Sequence, residues 1–221
     1  ERVEGMNWFE LEKATWCGVS VGAEVGENYG AIKGKDFKRT ENGEVIINGD
    51  TGLPEIDDQT HIIGNASWDW TGGFYSTFTY KNFRLSAGFD VKVGADLFSM
   101  SMRSAYATGR AEETLAGREE WYRSEENRKA ANMSSDEWNS YIRTQLNGIT
   151  DEAQRLETAK QFGYVVPGVI KNADGTYRTN DIPVDPEAYW KTASDNCPSL
   201  FVYDNSYVKC REITFGYTFP E

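Results

Sequence analysis

The side chains that could take part in acid–base or nucleophilic chemistry are few and scattered. His61 is the only histidine, and no serine or cysteine stands in a recognisable nucleophile context. Neither a histidine-based triad nor a zinc site with several histidines is therefore supported. The neighbouring acids Asp57-Asp58 and Glu125-Glu126 could be imagined as glycosidase carboxylates. Adjacent acids in a charged segment are more often simply solvated, so the sequence predicts no catalytic constellation and no enzyme.

Patterns for metals and disulfides are equally weak. Asn172, Asp174 and Gly175 match the start of a calcium loop, but the third spaced acid and the terminal Glu of that pattern are missing. A hairpin turn is the favoured interpretation, and we expect neither a metal nor a cofactor. The cysteines are too few and too widely spaced for a disulfide framework or a zinc site, and they leave the redox compartment open: Cys17, Cys197 and Cys210.

Composition narrows the class of partner. The net charge of -12 disfavours nucleic acid, because such binding depends on Lys and Arg that neutralise phosphates. The aromatic fraction is 14%, yet mean hydropathy is -0.62 and no apolar run approaches the length of a transmembrane helix. Barrel strands are only alternately apolar, so this average leaves a membrane barrel possible. With no initiator Met and no secretion signal in the sequence, we expect a portion of a longer protein.

The clearest structural pattern is a strict alternation in FRLSAGFDVKVG, Phe83–Gly94. Period-two alternation predicts a strand with one apolar and one polar face. Two environments fit it: a water-soluble sheet that packs its apolar face on a core, or a membrane barrel that shows this face to lipid and the other to a wet lumen. The apolar face consists of Phe83, Leu85, Ala87, Phe89, Val91 and Val93.

Two further segments are also strand-like. Trp68–Tyr80 is separated from the first strand by only Lys81 and Asn82, which predicts a tight hairpin. Ser206–Phe219 alternates in the same way. A less regular strand is predicted over Thr15–Ala23.

Elsewhere the patterns change. Glu27–Gly64 is rich in turn residues and should carry a short ribbon at Asn42-Gly43. From Leu97 to Tyr203 the pattern is helical and polar, with a capping box of Ser134 and Glu137 ahead of one helix. Other helices are predicted over residues 112–131 and 151–162, and a hairpin over residues 171–177. The chain thus divides into barrel strands with a loop (1–96), an extracellular loop with helices (97–203) and a barrel strand (204–221).

This layout is typical of an outer-membrane barrel, which has short inner turns and long outer loops. The predicted fold class is all-β, as part of a large antiparallel transmembrane β-barrel with a long, partly helical extracellular loop. Aromatic residues also fall where two interfacial girdles would need them. The outer rim would hold Trp68, Trp70 and Tyr106, and the inner rim Tyr80, Phe83, Tyr217 and Phe219.

Five blocks of sequence, in order along nearly the whole chain, resemble the SusC/RagA family of TonB-linked outer-membrane transporters of Bacteroidetes. The blocks are GENYGAIKGKDFKRTENGEV (26–45), IIGNASWDWTGGFYSTFTYKNFRLSAGFD (62–90), ETLAGRE (113–119), YVVPGVIKNADG (164–175) and FVYDNSYVKCREITFGYTFP (201–220). Several blocks in order are more specific than any single short motif.

The resemblance implies a plugged barrel of about 22 strands in the cell outer membrane, of which this chain is a late portion. It also implies nutrient uptake of glycan or peptide oligomers, a SusD-type surface lipoprotein as a lid, and a TonB complex that acts through a plug absent from this sequence. Outer-membrane lipid would surround the strands. The identity of the cargo stays open, because glycan and peptide importers of this family share these wall motifs.

Two sets of residues are candidates for contact with a solute. In the barrel interpretation, Arg84, Asp90, Lys92 and Asp96 face the lumen, where charge can guide a polar solute. They could equally solvate a wet wall or pair across strands, which is the commoner case. In the long loop, Trp121, Trp138 and Trp190 could stack on sugar rings. The more frequent role of such side chains is the small core of a helical loop or a contact with the lipoprotein.

The alternative hypothesis is a soluble, secreted carbohydrate-binding β-domain, in which the apolar face of Phe83–Val93 packs on a second sheet and the tryptophans bind sugar. That hypothesis predicts that Phe89 and Val91 are buried. A barrel instead predicts them on the lipid-facing side, with Asp90 and Lys92 inside. A glycoside hydrolase would need two carboxylates facing each other across a cleft, and no pattern in the sequence indicates such a pair.

Overall fold

The computed structural model describes residues 7–14 and 17–220. The chain is strand-rich, with 36% strand and 31% helix, and none of the sheets formed by these residues closes on itself. The prediction of antiparallel sheets is therefore confirmed, whereas the all-β class holds only in part. The chain forms two compact units: a sheet unit of Glu1–Lys33, Ile62–Ser99 and Val202–Glu221, and a helical unit of Gly34–His61 and Met100–Phe201.

The strands of the described residues follow in chain order. They are β1 (Trp8–Ala14), β2 (Val19–Glu24), β3 (Ala31–Gly34), β4 (Ile46–Ile47), β5 (His61–Asn65), β6 (Trp70–Tyr80), β7 (Phe83–Val93), β8 (Asp96–Phe98), β9 (Tyr164–Val165), β10 (Val169–Lys171), β11 (Tyr177–Thr179), β12 (Pro183–Val184), β13 (Val202–Asp204) and β14 (Tyr207–Tyr217). The strand predicted over residues 15–23 is observed as β2, and residues 15 and 16 lie outside the described residues.

Three long antiparallel strands, in the order β14-β7-β6, form the largest regular element of the sheet unit. Each is 11 residues long. β6 and β7 pair from Trp70 opposite Val93 to Tyr80 opposite Phe83, so the hairpin turn is Lys81-Asn82, as predicted. Lys81 accommodates this two-residue turn with a φ of 51°.

The ends of the predicted extracellular loop are paired with each other. β8 and β13 run antiparallel, and Asp96 is opposite Asp204. A four-stranded sheet, β1-β2-β3-β5, completes the sheet unit. The segment between β8 and β13 is therefore an insertion whose two ends emerge side by side.

The helical unit contains the α-helices found in the described part of the chain. They are α1 (Met100–Ala107), α2 (Arg118–Ala130), α3 (Ser135–Asn147), α4 (Glu152–Ala159) and α5 (Pro186–Asn196), with 3-10 turns at Glu112–Leu115, Lys160–Phe162 and Pro198–Phe201. The predicted capping box is confirmed: the Ser134 hydroxyl accepts from the Glu137 N–H at 3.3 Å, and the Glu137 carboxylate accepts from the Ser134 N–H at 2.8 Å. Gly148 caps the other end of α3.

Two apolar cores stabilise the helical unit. The larger core joins Phe37 and Ile47 to Ile170, Tyr189 and other buried residues of 164–201, and β4 pairs in parallel with β10. Residues 34–61 are thus integral to this unit, which their turn-rich sequence did not reveal. The second core packs α3 on α4 through Trp138, Ile142, Leu146, Ala159 and Val165. Among the helices of the described residues, none is both long enough and apolar enough to span a membrane.

Candidate functional site

One face of the β14-β7-β6 sheet is apolar and exposed. Directly paired residues of antiparallel strands share a face, and the observed register therefore aligns the apolar positions of all three strands. Phe215 is 67% exposed and Val208 is 70% exposed. No charged side chain lies at the paired positions of this face, which hold Trp70, Gly72, Phe74, Ser76, Phe78, Tyr80, Phe83, Leu85, Ala87, Phe89, Val91, Val93, Val208, Cys210, Ile213, Phe215 and Tyr217.

The opposite face is polar and partly buried. Ser86 is only 3% exposed, and its hydroxyl lies 3.1 Å from the hydroxyl of Thr77 on the neighbouring strand. Most other residues of this face, such as Tyr75 and Thr79, are exposed, so within the described residues the sheet does not bury its apolar face on a core as a water-soluble sheet would. Phe89 and Val91, which a soluble sandwich would bury, are only half-buried.

Three of the four predicted lumen-facing residues lie on this polar face. Asp90 forms an ion pair with Arg211 of β14, where the strand register shifts between Cys210 and Glu212. The Lys92 ammonium lies 5.1 Å from the ring centre of Trp68. Arg84 is exposed, opposite Thr79. Asp90 thus pairs with a charge on the neighbouring strand, whereas Lys92 lies over an aromatic ring and Arg84 is exposed.

Asp96 has a different environment from the other three. It lies on β8, and its carboxylate accepts from the N–H of Asn65 at 2.9 Å. A Cβ on Gly64 would come within 2.8 Å of the same carboxylate. Asp96 therefore holds β5 close to the base of the insertion, a structural function that its position in the sequence did not indicate.

Aromatic rings cluster at both ends of the three-stranded sheet. At the hairpin end the Phe83 and Tyr217 centroids are 4.7 Å apart, and Tyr217 lies 5.0 Å from Phe219. At the other end Trp68 makes an edge contact with Tyr207 at 5.7 Å. Tyr106, the third residue predicted for this rim, lies on α1 in the helical unit, with its ring centre 4.8 Å from that of Trp190.

The three candidate tryptophans of the insertion have two different environments. Trp138 is 8% exposed, and its indole N–H donates to Ser124 at 2.9 Å, so it is a core residue. Trp121 and Trp190 instead line one cleft of about 330 Å³ together with Tyr106 and Tyr122. Sequence reasoning missed Tyr106 as part of this cleft because nothing local links α1 to α5.

The cleft is an aromatic pocket with an acidic edge. Asp185 and Glu187 lie on its rim at the start of α5, while Arg118 is occupied by the Gly109 carbonyl at 3.2 Å and by Thr114. Aromatic planes beside polar groups suit the C–H faces and hydroxyls of a sugar. We call this site the aromatic cleft.

The residues considered for acid–base chemistry are engaged locally. Asp57 lies 3.0 Å from His61, and its pKa is lowered by the N–H of Gln59 and by His61. A hydrogen bond from Arg128 likewise lowers the pKa of Glu125, which opposes its use as a protonated general acid. Burial raises the pKa of Cys197 to about 12, so this thiol is a poor nucleophile.

The calcium-like segment forms a hairpin, as predicted. Val169–Lys171 pairs with Tyr177–Thr179, and Gly175 has a φ of 87°. The Asp174 carboxylate accepts from the hydroxyl of Thr176 at 2.6 Å. Its oxygen thus stabilises the turn.

A search of protein-family models finds no match to this chain. A comparison with curated proteins also finds no match.

Proposed function

We propose that this chain is a late portion of a TonB-dependent outer-membrane transporter that imports nutrient oligomers, either glycan or peptide. In this proposal β6, β7 and β14 are part of the barrel wall, and the helical unit is an extracellular element. The transporter would work with a SusD-type lipoprotein outside and a TonB complex inside. The resemblance of the five sequence blocks motivates the proposal.

The single observation that carries the proposal is the exposed apolar face of β14-β7-β6. A strand of 9–11 residues, tilted by about 45°, spans a bilayer, and these strands have 11 residues each. Apolar patches beyond a few hundred Å² are rare on soluble monomers. Contact with lipid would account for the exposed phenylalanines on this face. A hydrated lumen would account for the polar residues on the opposite face, which includes Ser86.

The aromatic rings at the sheet ends support the same orientation. Tyr and Trp favour the two membrane–water interfaces, where one part of the ring is apolar and the other is hydrated. Tyr80 and Tyr217 lie at the hairpin end, while Trp70 and Tyr207 lie at the opposite end. The hairpin would then be the periplasmic turn, and the insertion would lie outside the cell.

Spin labelling tests this proposal with the full-length protein in bilayers. Labels at Leu85, Val208 and Phe215 are compared with labels at their chain neighbours Arg84, Lys209 and Thr214, in a background that lacks Cys210. We expect the first set to meet dissolved oxygen and the second a water-soluble nickel reagent. If the first set meets the nickel reagent as readily as the second, the membrane orientation is wrong. If it meets neither probe, the soluble carbohydrate-binding domain replaces it.

The aromatic cleft is the proposed contact for cargo in the helical unit. Trp121→Ala should weaken binding of an oligosaccharide panel by about tenfold, because a stacked ring contributes about 1 kcal/mol or more. Tyr177→Ala, which removes an exposed ring from β11 outside the cleft, is the matched control. Equal effects of both substitutions, or none of the first, would exclude the cleft as a sugar site.

A further inference from the structure

A second cleft of the helical unit collects arginines from three elements. It has a volume of about 350 Å³. Its lining comes from α3, from Arg155 of α4 and from the segments 49–51 and 178–183. Arg143 comes from α3, Arg155 from α4 and Arg178 from β11. We call it the arginine cleft. Its polar lining also includes Thr51, Asn139 and Asn147.

One buried carboxylate serves two of these arginines. Asp181, 8% exposed, accepts a hydrogen bond from Arg178 at 2.6 Å. Its other oxygen lies 2.9 Å from Nε of Arg155, but without hydrogen-bond geometry. Arg143 donates to the main-chain carbonyl of Asp50 at 2.6 Å, which is a neutral partner. Three guanidinium groups thus line the cleft, two of them against the carboxylate of Asp181, and the acidic residues of the lining are Asp50 and Asp181.

This excess of positive charge is local, since the whole chain carries a net charge of -12. Each guanidinium has five N–H donors, and the contacts above use only a few of them. Arg143 is exposed, and the Arg178 side chain is 36% exposed. The lining therefore offers unused, oriented donors to a solute that can enter the cleft.

We propose that the arginine cleft binds a carboxylate-bearing solute. The planar guanidinium matches the two oxygens of a carboxylate, and Asp181 already occupies one side of this arrangement with a carboxylate of the protein itself. An incoming carboxylate would bind on the open side, against Arg143 and the outer N–H groups of Arg178. This inference is independent of the transporter proposal, because every contact belongs to the helical unit.

Calorimetric titration of the purified full chain tests the inference with named probes. D-galacturonate carries one carboxylate on a sugar ring, N-acetylglutamate carries two on an amino acid, and D-galactose is the neutral match of the first. We expect at least one acid to bind and galactose not to bind. Tighter binding of galacturonate identifies an acidic sugar as the source, and tighter binding of N-acetylglutamate an acidic peptide. Equal binding of galactose and galacturonate, or binding of none, overturns the proposal.

Two substitutions that change the charge of the cleft in opposite directions distinguish an effect on binding from an effect on folding. Arg143→Gln should weaken acid binding about tenfold, because a charge-assisted hydrogen bond is lost. Asp50→Asn should strengthen it, since a competing negative charge leaves the cleft. Both positions are exposed, and Arg123→Gln, an exposed change on α2 outside the cleft, should have no effect. If Arg143→Gln and Asp50→Asn change the affinity in the same direction, the carboxylate site is refuted.

Discussion

In the helical unit apolar side chains are buried, with Phe201 1% exposed, whereas in the β14-β7-β6 sheet Phe215 is exposed and Ser86 is buried. The helices of the helical unit and the strands of this sheet are both amphipathic in sequence. The helices repeat with a helical period and the strands with a period of two residues. Only the helical unit has the arrangement that the hydrophobic effect produces in water. The difference teaches that amphipathic sequence fixes which residues share a face, whereas contacts with other segments of the chain decide whether that face is covered.

The largest expected effect is the difference in the free energy of unfolding between alanine substitutions at two phenylalanines. Phe201→Ala should destabilise the helical unit by about 3–5 kcal/mol, because it opens a cavity in a packed core. Phe215→Ala in a bilayer should cost no more than about 2 kcal/mol, because lipid fills the space. Urea unfolding of the full-length protein in vesicles measures both. Similar losses would mean that Phe215 is buried against protein.

A charge placed on the exposed sheet face should have the next largest effect. Ile213→Arg is expected to cost about 2–4 kcal/mol if this position lies near the bilayer midplane. Thr214→Arg, one residue along on the polar face, is the matched control and should cost much less. Vesicle unfolding and the folded fraction on gels are suitable measurements. A harmless Ile213→Arg would contradict lipid contact at this face.

A smaller effect is expected at the start of α3. Ser134→Ala removes the hydroxyl that accepts from the Glu137 N–H and should destabilise the helical unit by about 1 kcal/mol. Ser140→Ala, on the exposed side of the same helix, controls for the general effect of losing a serine hydroxyl. The helical signal in circular dichroism, followed during thermal unfolding, reports the difference between the two variants.

The same cap predicts a dependence on pH. Hydrogen bonds from the N–H and the hydroxyl of Ser134 lower the pKa of Glu137 below its ordinary value of 4.5. The stabilisation is therefore fully present above that value, and it is lost as the pH falls through the lower pKa of the folded state. Ser134→Ala should raise the pKa of Glu137, as an NMR titration would measure. The Ser134 N–H stays in place in this variant, so an unchanged pKa would show that the hydrogen bond from the Ser134 hydroxyl to the Glu137 carboxylate does not form in solution.

Local features were predictable because their causes lie within a few residues. The Lys81-Asn82 turn and the capping box of Ser134 depend on neighbours in the chain, and both form as the sequence indicates. The hairpin around Asp174 and Gly175 has the same local origin. By contrast, the contacts of Tyr106 with Trp190 and Phe201 join residues that lie far apart in the chain, and no local pattern predicts them.

The sequence by itself determined the three long strands, their alternating faces and the approximate positions of α2, α3 and α4, because backbone geometry converts spacing directly into shared faces. It did not indicate α1 or α5. Tertiary structure alone decided that residues 34–61 fold with residues 100–201 and that Trp121 meets Trp190 while Trp138 enters a core. It also decided that Arg143, Arg155 and Arg178 converge. These outcomes depend on packing between segments far apart in the chain, and no local periodicity encodes such contacts.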